Sequence, residues 1–449
     1  MINVIIPMAG LGSRFVDYGF KINKYLLPIN LNLTTMIEYA ITTLNINEEC
    51  RYIFIIRKSE DSIIIENILK EICDKHHYKY DILYTNILTD GPASTAIIAF
   101  NELKDINIED ELIISNSDQV LEWNFNSFIK TSRNYDGCVL TYTPSYIPEL
   151  GTLDKHSFIE LDSNNYGIRV TEKIVISDNT LVGVHYFKKS KYFIDNYNYM
   201  VKNNIRAPNG EFYISLVYQS MIENNYKISI HKLQDSEYFH PVGEPLDYFN
   251  YLYLHGGYNN KLTTVYDNTI LYNDDNVLLT YKIYNEPSIK IDNDGLILVL
   301  KGTIKTYDND IITQGFVTNK NLITLPDEVE VLIIKSFIID TKLTNIWNTT
   351  NFIRGWFIGD FIPSIVKTDL FEIALLNHLK DEMWDFHYHR YMIEINVLIK
   401  GKMIINEQEI HEGNIFIFEK NQIACPKFLE DCSILCIKVP SVKNDKIII

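Results

Sequence analysis

With 449 residues, 46% hydrophobic and 22% charged, the chain is long enough for about three domains of roughly 150 residues, each able to bury a sizeable core. A formal net charge of −17 excludes a nucleic-acid partner, because binding a phosphate backbone needs a basic footprint. Any anionic substrate must therefore be met by local cations or a metal ion. The six cysteines are scattered without a Cys-x-x-Cys pair, no apolar run reaches the length of a bilayer span, and the N-terminus runs straight into a strand. These features predict reduced thiols, no signal peptide, no membrane partner and a cytoplasmic location.

The first apolar run, Ile2 to Pro7, reads as a buried strand. It leads into Met8-Ala9-Gly10-Leu11-Gly12-Ser13-Arg14-Phe15, and Lys24 follows ten residues after Arg14. Two glycines in a tight turn let backbone N–H groups come close to an anion, since nothing beyond Cα obstructs the approach. Arg14 and Lys24 add fixed positive charge beside those donors. The combination suits a nucleoside triphosphate held by its phosphates. A dinucleotide fingerprint requires a third glycine, near whose place Phe15 stands, and no Gly-Lys-Ser/Thr follows to make a P-loop.

From Met1 to about His255, strand-like runs (Tyr52 to Ile56, Asp81 to Tyr84, Leu112 to Ser115) alternate with helix-like runs (Met36 to Leu44, Ser62 to Cys73, Ala93 to Leu103). The alternation predicts a mostly parallel, mixed α/β sheet of Rossmann-like layering, with ligands beyond the carboxyl ends of its strands. Gly91-Pro92-Ala93-Ser94-Thr95-Ala96 opens a helix whose small residues and N-terminal N–H groups suit a base or ribose. Ser115-Asn116-Ser117-Asp118-Gln119 follows an apolar strand, and a carboxylate there can hold Mg²⁺ against a triphosphate. Glu172-Lys173 ends a strand, Gly183 to Phe187 form the next, and the lysine can meet a second phosphate. Taken singly, each is an ordinary turn, cap or edge pair.

His255 to Asn260 reads as a linker. Beyond it, short alternating runs with turn signals predict an all-β region. Gly295 to Ile304 resembles Glu394 to Met403, each with a later glycine, Gly315 and Gly413. Two copies of one β unit are expected, split near Asn348.

The order of the N-terminal signals resembles that of the sugar-phosphate nucleotidyltransferase (pyrophosphorylase) family, above all its short members in capsule pathways. The family pattern matches Gly10 to Arg14, Lys24-Tyr25-Leu26-Leu27, Gly91 to Ala96, Asn116 to Gln119 and Glu172-Lys173. Asn209 to Tyr213 and Val242-Gly243-Glu244-Pro245 match as well. The resemblance implies a Rossmann-like α/β nucleotidyltransferase domain over 1–256. It would transfer NMP from an NTP to a sugar 1-phosphate or related small phosphate, releasing pyrophosphate. Catalytic roles fall to Arg14, Lys24 and Lys173. Nucleotide binding falls to Ala9, Gly10, Leu11, Gly12, Ser13, Gly91, Ser94, Thr95, Asn116 and Ser117. Glu172 and Gly183 would hold substrate, and Asp118 would hold Mg²⁺. Two departures stand out. Tyr25 replaces the usual proline, and Pro241 stands where a second metal carboxylate belongs, leaving Asp118 alone or with His240 or Glu244.

In the C-terminal region, His387-Tyr388-His389, Glu394 and Gly401 resemble the first motif of the cupin family, His-x-His-x₄-Glu-x₆-Gly. Alternation puts both histidines on one strand face. The resemblance implies a double cupin (β-barrel or jelly roll): a degenerate cupin-like domain over 262–347 and a cupin over 348–449. His387, His389 and Glu394 would hold a divalent transition metal; without one, the histidines would be hydrogen-bond partners for a sugar. Ala424, beside Cys425, stands where a fourth ligand belongs. The fusion implies a homo-oligomer through the cupins and a place in surface-polysaccharide precursor synthesis. Two alternatives remain beside simple nucleotidyl transfer: a bifunctional enzyme whose cupin is a sugar-phosphate isomerase or epimerase, and a non-catalytic sugar-nucleotide scaffold.

Overall fold

The computed structural model describes residues 1–143, 156–255, 257, 261–291, 295–339 and 345–449. Apart from His255 and Gly257, the expected linker lies outside the described residues. The chain forms two compact units, Met1–Tyr18 with Ile22–Ile29 and Leu33–Tyr251, and Gly19–Lys21 with Asn30–Asn32 and Leu252–Ile449. No helix among the described residues is long and apolar enough to cross a membrane.

The first unit holds the expected α/β sheet. Its strands are β1 (Ile2–Met8), β2 (Cys50–Arg57), β3 (Lys79–Thr85), β4 (Glu111–Ser115), β5 (Gln119–Glu122), β6 (Gly137–Tyr142), β7 (Ser157–Leu161), β8 (Gly167–Glu172), β9 (Thr180–Phe187), β10 (Ile228–Lys232) and β11 (Tyr238–Pro241). The main path runs β10-β6-β9-β4-β1-β2-β3. β1 pairs in parallel with β2 and β4, whereas β9 runs antiparallel to β4 and β6. The strands are apolar on both faces because both are covered. Val4 and Ile6 of β1 join one buried cluster with the helix Ser62–His76, while Ile5 joins another with the helix Ile214–Glu223. That two-sided burial is why the runs read as continuous apolar stretches. The helical run Ala93 to Leu103 is broken at Ile97 into Pro92–Ala96 and Ile98–Glu102.

The second unit, among its described residues, has paired strands that run antiparallel. Its first part holds β12 (Lys261–Thr264), β13 (Thr269–Asn273), β14 (Val277–Tyr284), β15 (Lys290–Ile291), β16 (Leu296–Lys301), β17 (Thr303–Thr306), β18 (Ile311–Thr313), β19 (Phe316–Thr318), β20 (Leu322–Thr324) and β21 (Val329–Ser336). After β22 (Ile346–Asn348) come β23 (Trp356–Ile358), β24 (Glu372–His378), β25 (His387–His389), β26 (Ile393–Lys400), β27 (Lys402–Ile405), β28 (Gln408–His411), β29 (Asn414–Phe418), β30 (Pro426–Phe428), β31 (Cys432–Val439) and β32 (Lys446–Ile448).

The internal repeat is written in the pairing. β21 lies between β14 and β16, and β16 pairs onward with β19; β31 likewise lies between β24 and β26, and β26 pairs with β29. β16 and β26 both carry a bulge near the end that meets the turn glycine, Gly302 or Gly401. The ends cross over. β12 precedes the first copy but pairs with β29 of the second, and β22 precedes the second but pairs with β19 of the first. The residue 347/348 division falls inside β22, and β12, which precedes it, belongs to the sheet of β29. One face of each copy shares a single apolar core, in which Leu296, Leu298 and Leu300 sit with Ile395, Val397 and Ile399.

Candidate active site

The glycine loop follows β1 and ends in the helix Ser13–Tyr18. Gly12 has φ +66°, and its carbonyl accepts the Phe15 amide at 3.0 Å. Phe15 is buried with its ring edge-on to Tyr248, 5.9 Å between centroids, so the residue near the absent third glycine anchors the loop. A Cβ on Gly10 would meet nothing within 4 Å, which leaves that side of the loop open to a ligand.

Asp118 lies in the loop between β4 and β5. The Asn116 amide donates to the Gly183 carbonyl at 2.8 Å, and the Gln119 side-chain amide donates to Ser115 Oγ and to Gly183 O, each at 3.1 Å. Lys24 Nζ donates to Asp118 Oδ2 at 2.6 Å. Burial disfavours the Lys24 charge, but the Asp118 carboxylate outweighs it and the ammonium's pKa is raised. Two glycines leave room for this loop. A Cβ on Gly183 would lie 2.2 Å from Asn116 Nδ2, and one on Gly243 would lie 2.6 Å from Asp118 Oδ2.

Two adjoining cavities meet here, sharing Arg14, Pro92, Asn116, Asp118, Tyr213 and Gly243 in their walls. The larger, about 360 Å³, is also lined by Ala9, Gly10, Gly12, Ser13, Lys24, Gly91, Thr95 and Ser117. These are eight of the expected nucleotide and phosphate residues. The smaller, about 190 Å³, is lined by Glu172 and Gly183, the two expected substrate residues. Three expected residues line neither cavity. Leu11 is an exposed loop side chain, and Ser94 Oγ accepts from the Tyr197 hydroxyl at 3.1 Å. Lys173, at a positive φ of 61°, holds its ammonium 5.2 Å from the Tyr213 ring centre, beside the cavities but not in their walls.

The smaller cavity has buried polar walls. Glu172 accepts from Ser157 Oγ and from Ser215 Oγ, the latter at 2.7 Å, and burial raises its pKa. His185 is pushed down to about 3 by burial and is therefore neutral. His185 Nδ1 and Gln119 Oε1 are buried without a hydrogen-bond partner. Orphaned buried polar atoms call for a ligand or water. Ser157 and Ser215 carry no motif, and only the fold brings them to Glu172.

The residues at Asp118 fit a divalent cation. The carboxylate already attracts a cation, and a Cβ on Gly243 would fill the space against it. The substitutes for the absent second carboxylate are engaged elsewhere: Glu244 sits 2.8 Å from Arg14, and His240 Nε2 lies 3.4 Å from Glu122.

In the second unit, both motif histidines are buried. His389 Nε2 lies 3.3 Å from Glu394, while the His387 ring centre is 5.8 Å from that of His389. His387 exchanges backbone hydrogen bonds with Ala424, so the residue at the fourth-ligand position does stand opposite it. Burial pushes His387 down to about 4, keeping it neutral. Glu394 is not free for a metal, because Lys438 Nζ is 3.3 Å away. Burial would raise the Glu394 carboxyl, but Lys438 holds it well below the usual carboxylate range. Among the described residues, no group of three His, Cys, Asp or Glu side chains has metal-holding geometry.

No family model and no curated protein sequence matches the chain. Solved structures do resemble it. A nucleoside-diphosphate-sugar pyrophosphorylase from Vibrio cholerae is 22% identical, with a TM-score of 0.48, over 56% of this chain and 99% of that one. A putative glucose-1-phosphate thymidylyltransferase from Bacillus anthracis is 15% identical, with a TM-score of 0.45, over 58% and 97%. The inositol-1-phosphate CTP transferase from T. maritima is 10% identical, with a TM-score of 0.42, over 55% and 90%.

Proposed function

We propose that the N-terminal unit transfers NMP from an NTP to a sugar 1-phosphate or related small phosphate. The observation that supports this reading is the meeting of two cavities at Asp118. One is walled by the glycine loop, Arg14 and Lys24, and suits a triphosphate. The other is walled by Glu172, Gly183 and unpartnered polar atoms, and suits a hydroxyl-rich acceptor.

The step asks for little covalent chemistry from the protein. An anionic oxygen of the acceptor phosphate attacks the α-phosphorus in line. The bond from that phosphorus to the β-bridging oxygen breaks, and pyrophosphate leaves with the electron pair. Catalysis is then positioning and neutralisation of charge. The Gly10–Ser13 backbone, Arg14 and Lys24 hold the triphosphate. Glu172 accepts from acceptor hydroxyls, and Lys173 meets the acceptor phosphate by turning from Tyr213. Asp118 would hold Mg²⁺, which when bound would supply neutralisation of the triphosphate. Lys24, at the wall of the triphosphate cavity, would be shared between Asp118 and the phosphates. This reading carries its expected setting: a cytoplasmic enzyme of surface-polysaccharide precursor synthesis, homo-oligomeric through the C-terminal unit.

The test is a pyrophosphate-release screen of the four common NTPs against a panel of phosphorylated sugars and polyols. One donor–acceptor pair should turn over with Mg²⁺. Removing a transition-state charge contact, as in Arg14→Ala or Lys173→Ala, should slow it about a hundredfold or more. Near-normal turnover in both variants, with the fold intact, would reject the site.

A further inference from the structure

The second unit contains a cavity of about 510 Å³, whose walls include Arg354, Trp356, Phe361, Glu372, His389, Lys438 and Lys446. It gathers cations in a chain of net charge −17. Lys438 is neutralised from both sides. It stands directly across the sheet from Glu372 on β24 and from Glu394 on β26. Among the described residues, no carboxylate lies within ion-pair distance of Arg354 or Lys446. Both cations lie against the Trp384 ring, Lys446 at 3.7 Å and Arg354 at 5.0 Å from its centre. Lys446 is also paired to His389 through the β25–β32 ladder.

A second observation points independently to a ligand. His389 is only 5% exposed and lines the cavity; its Nε2 faces Glu394 at 3.3 Å, and its Nδ1 has no hydrogen-bond partner. Asp445, 3.7 Å from its Nδ1, is turned to the backbone amides of Arg390, Tyr391 and Met392. The remaining Nδ1 is completed by a donor or acceptor brought in from outside. The aromatic wall of Trp356 and Phe361 adds an apolar surface of the kind that a sugar ring face covers. The Glu372 carboxylate, already accepting from Ser441 Oγ at 2.8 Å, has acceptor capacity left for a hydroxyl.

We propose that this cavity binds a small anionic sugar, a hexose phosphate or a hexuronate. Arg354 and Lys446 take its anionic group, and His389 and Glu372 take its hydroxyls. Trp356 and Phe361 form the wall beside its ring. Lys438, fixed by strand register, supplies the positive charge that the cupin-like motif would draw from a metal. The site is separate from the nucleotide cavities and does not rest on the nucleotidyl-transfer reading.

The test is calorimetric titration of the full chain carrying Lys173→Ala, which weakens the N-terminal acceptor site. The probes are glucose 6-phosphate, glucuronate, glucose and inorganic phosphate, and EDTA is present throughout. At least one anionic sugar should bind more tightly than glucose or phosphate, and which one binds decides between phosphate and carboxylate. Adding Lys446→Gln, or separately Arg354→Gln on its exposed turn, should weaken binding about tenfold or more, the usual loss for a charge-assisted contact. Thermal unfolding checks that each variant folds. The proposal is overturned if no anionic sugar binds, if glucose or phosphate binds equally well, or if both charge variants bind as the parent does.

Discussion

Each unit sets a lysine against a carboxylate that its motif offers to a metal, yet the two pairs are built differently. Lys24 sits in the three-residue turn Lys24–Leu26, and Asp118 sits in a loop. Both can swing apart without disturbing the sheet. Lys438 and Glu394 face each other across paired strands, with Glu372 on the far side of the lysine. That pair moves only if the ladder does. The first contact is therefore exchangeable, as the proposed function requires of a lysine beside a cation-binding carboxylate. The second is fixed by strand pairing. The same two side-chain types serve opposite ends because one pair is held by loops and the other by strand register.

The comparison is sharpest where the pairs are broken. Lys438→Met leaves Glu394 charged and buried with only the Asn396 amide and His389 beside it, and should destabilise the protein by about 3 kcal/mol. Lys24→Met leaves Asp118 in a cavity wall that water can reach, and should cost clearly less. Urea unfolding of the two variants measures the contrast, and equal losses would remove it. Catalysis should behave in the reverse sense. Asp118→Asn should fold normally and lose pyrophosphate release about a hundredfold or more, together with its response to Mg²⁺. Glu394→Gln should leave that rate unchanged.

The buried wall of the smaller cavity gives a pH signature. Folded His185 titrates near 3, below the ordinary histidine value of about 6.5, so the unfolded chain binds its proton first. Its stabilising contribution is complete above about pH 6.5 and is lost as pH falls towards 3. By pH 5 the loss should reach about 2 kcal/mol, relative to His185→Phe. Unfolding curves of both proteins at pH 7 and pH 5 test it; parallel shifts would mean that His185 is not the source. The smallest effect belongs to Gly243→Ala. The new Cβ would lie 2.6 Å from Asp118 Oδ2, and should displace the carboxylate and slow turnover roughly tenfold with little change in stability. Unaltered kinetics would show that Asp118 has room to spare.

The sequence by itself determined the layering of the first unit, because strands buried on both faces leave continuous apolar runs such as Tyr52 to Ile56. It also determined the repeat of the second, because Gly302 and Gly401 end two matching strands at matching turns. It placed Gly10, Lys24, Gly91, Asn116, Asp118 and Glu172 around one pair of cavities, since each lies at or just beyond a strand end or helix start, and Gly183 joins them from within β9, where it faces the Asn116 loop. Only the tertiary structure decided which neighbours of those residues matter. Ser94 and Leu11 share motifs with lining residues but point elsewhere, because adjacent positions on a turn or helix face different sides. Ser157, Ser215 and His185 reach the site from separate elements, and nothing local marks them. The motif His387, His389 and Glu394 was legible, but its partner was not. Lys438 lies 44 residues beyond Glu394, and only the pairing of β26 with β31 sets its ammonium where the motif suggests a metal. Spacing along a chain is local information; what stands across a sheet is set by register, and register is settled by the fold as a whole.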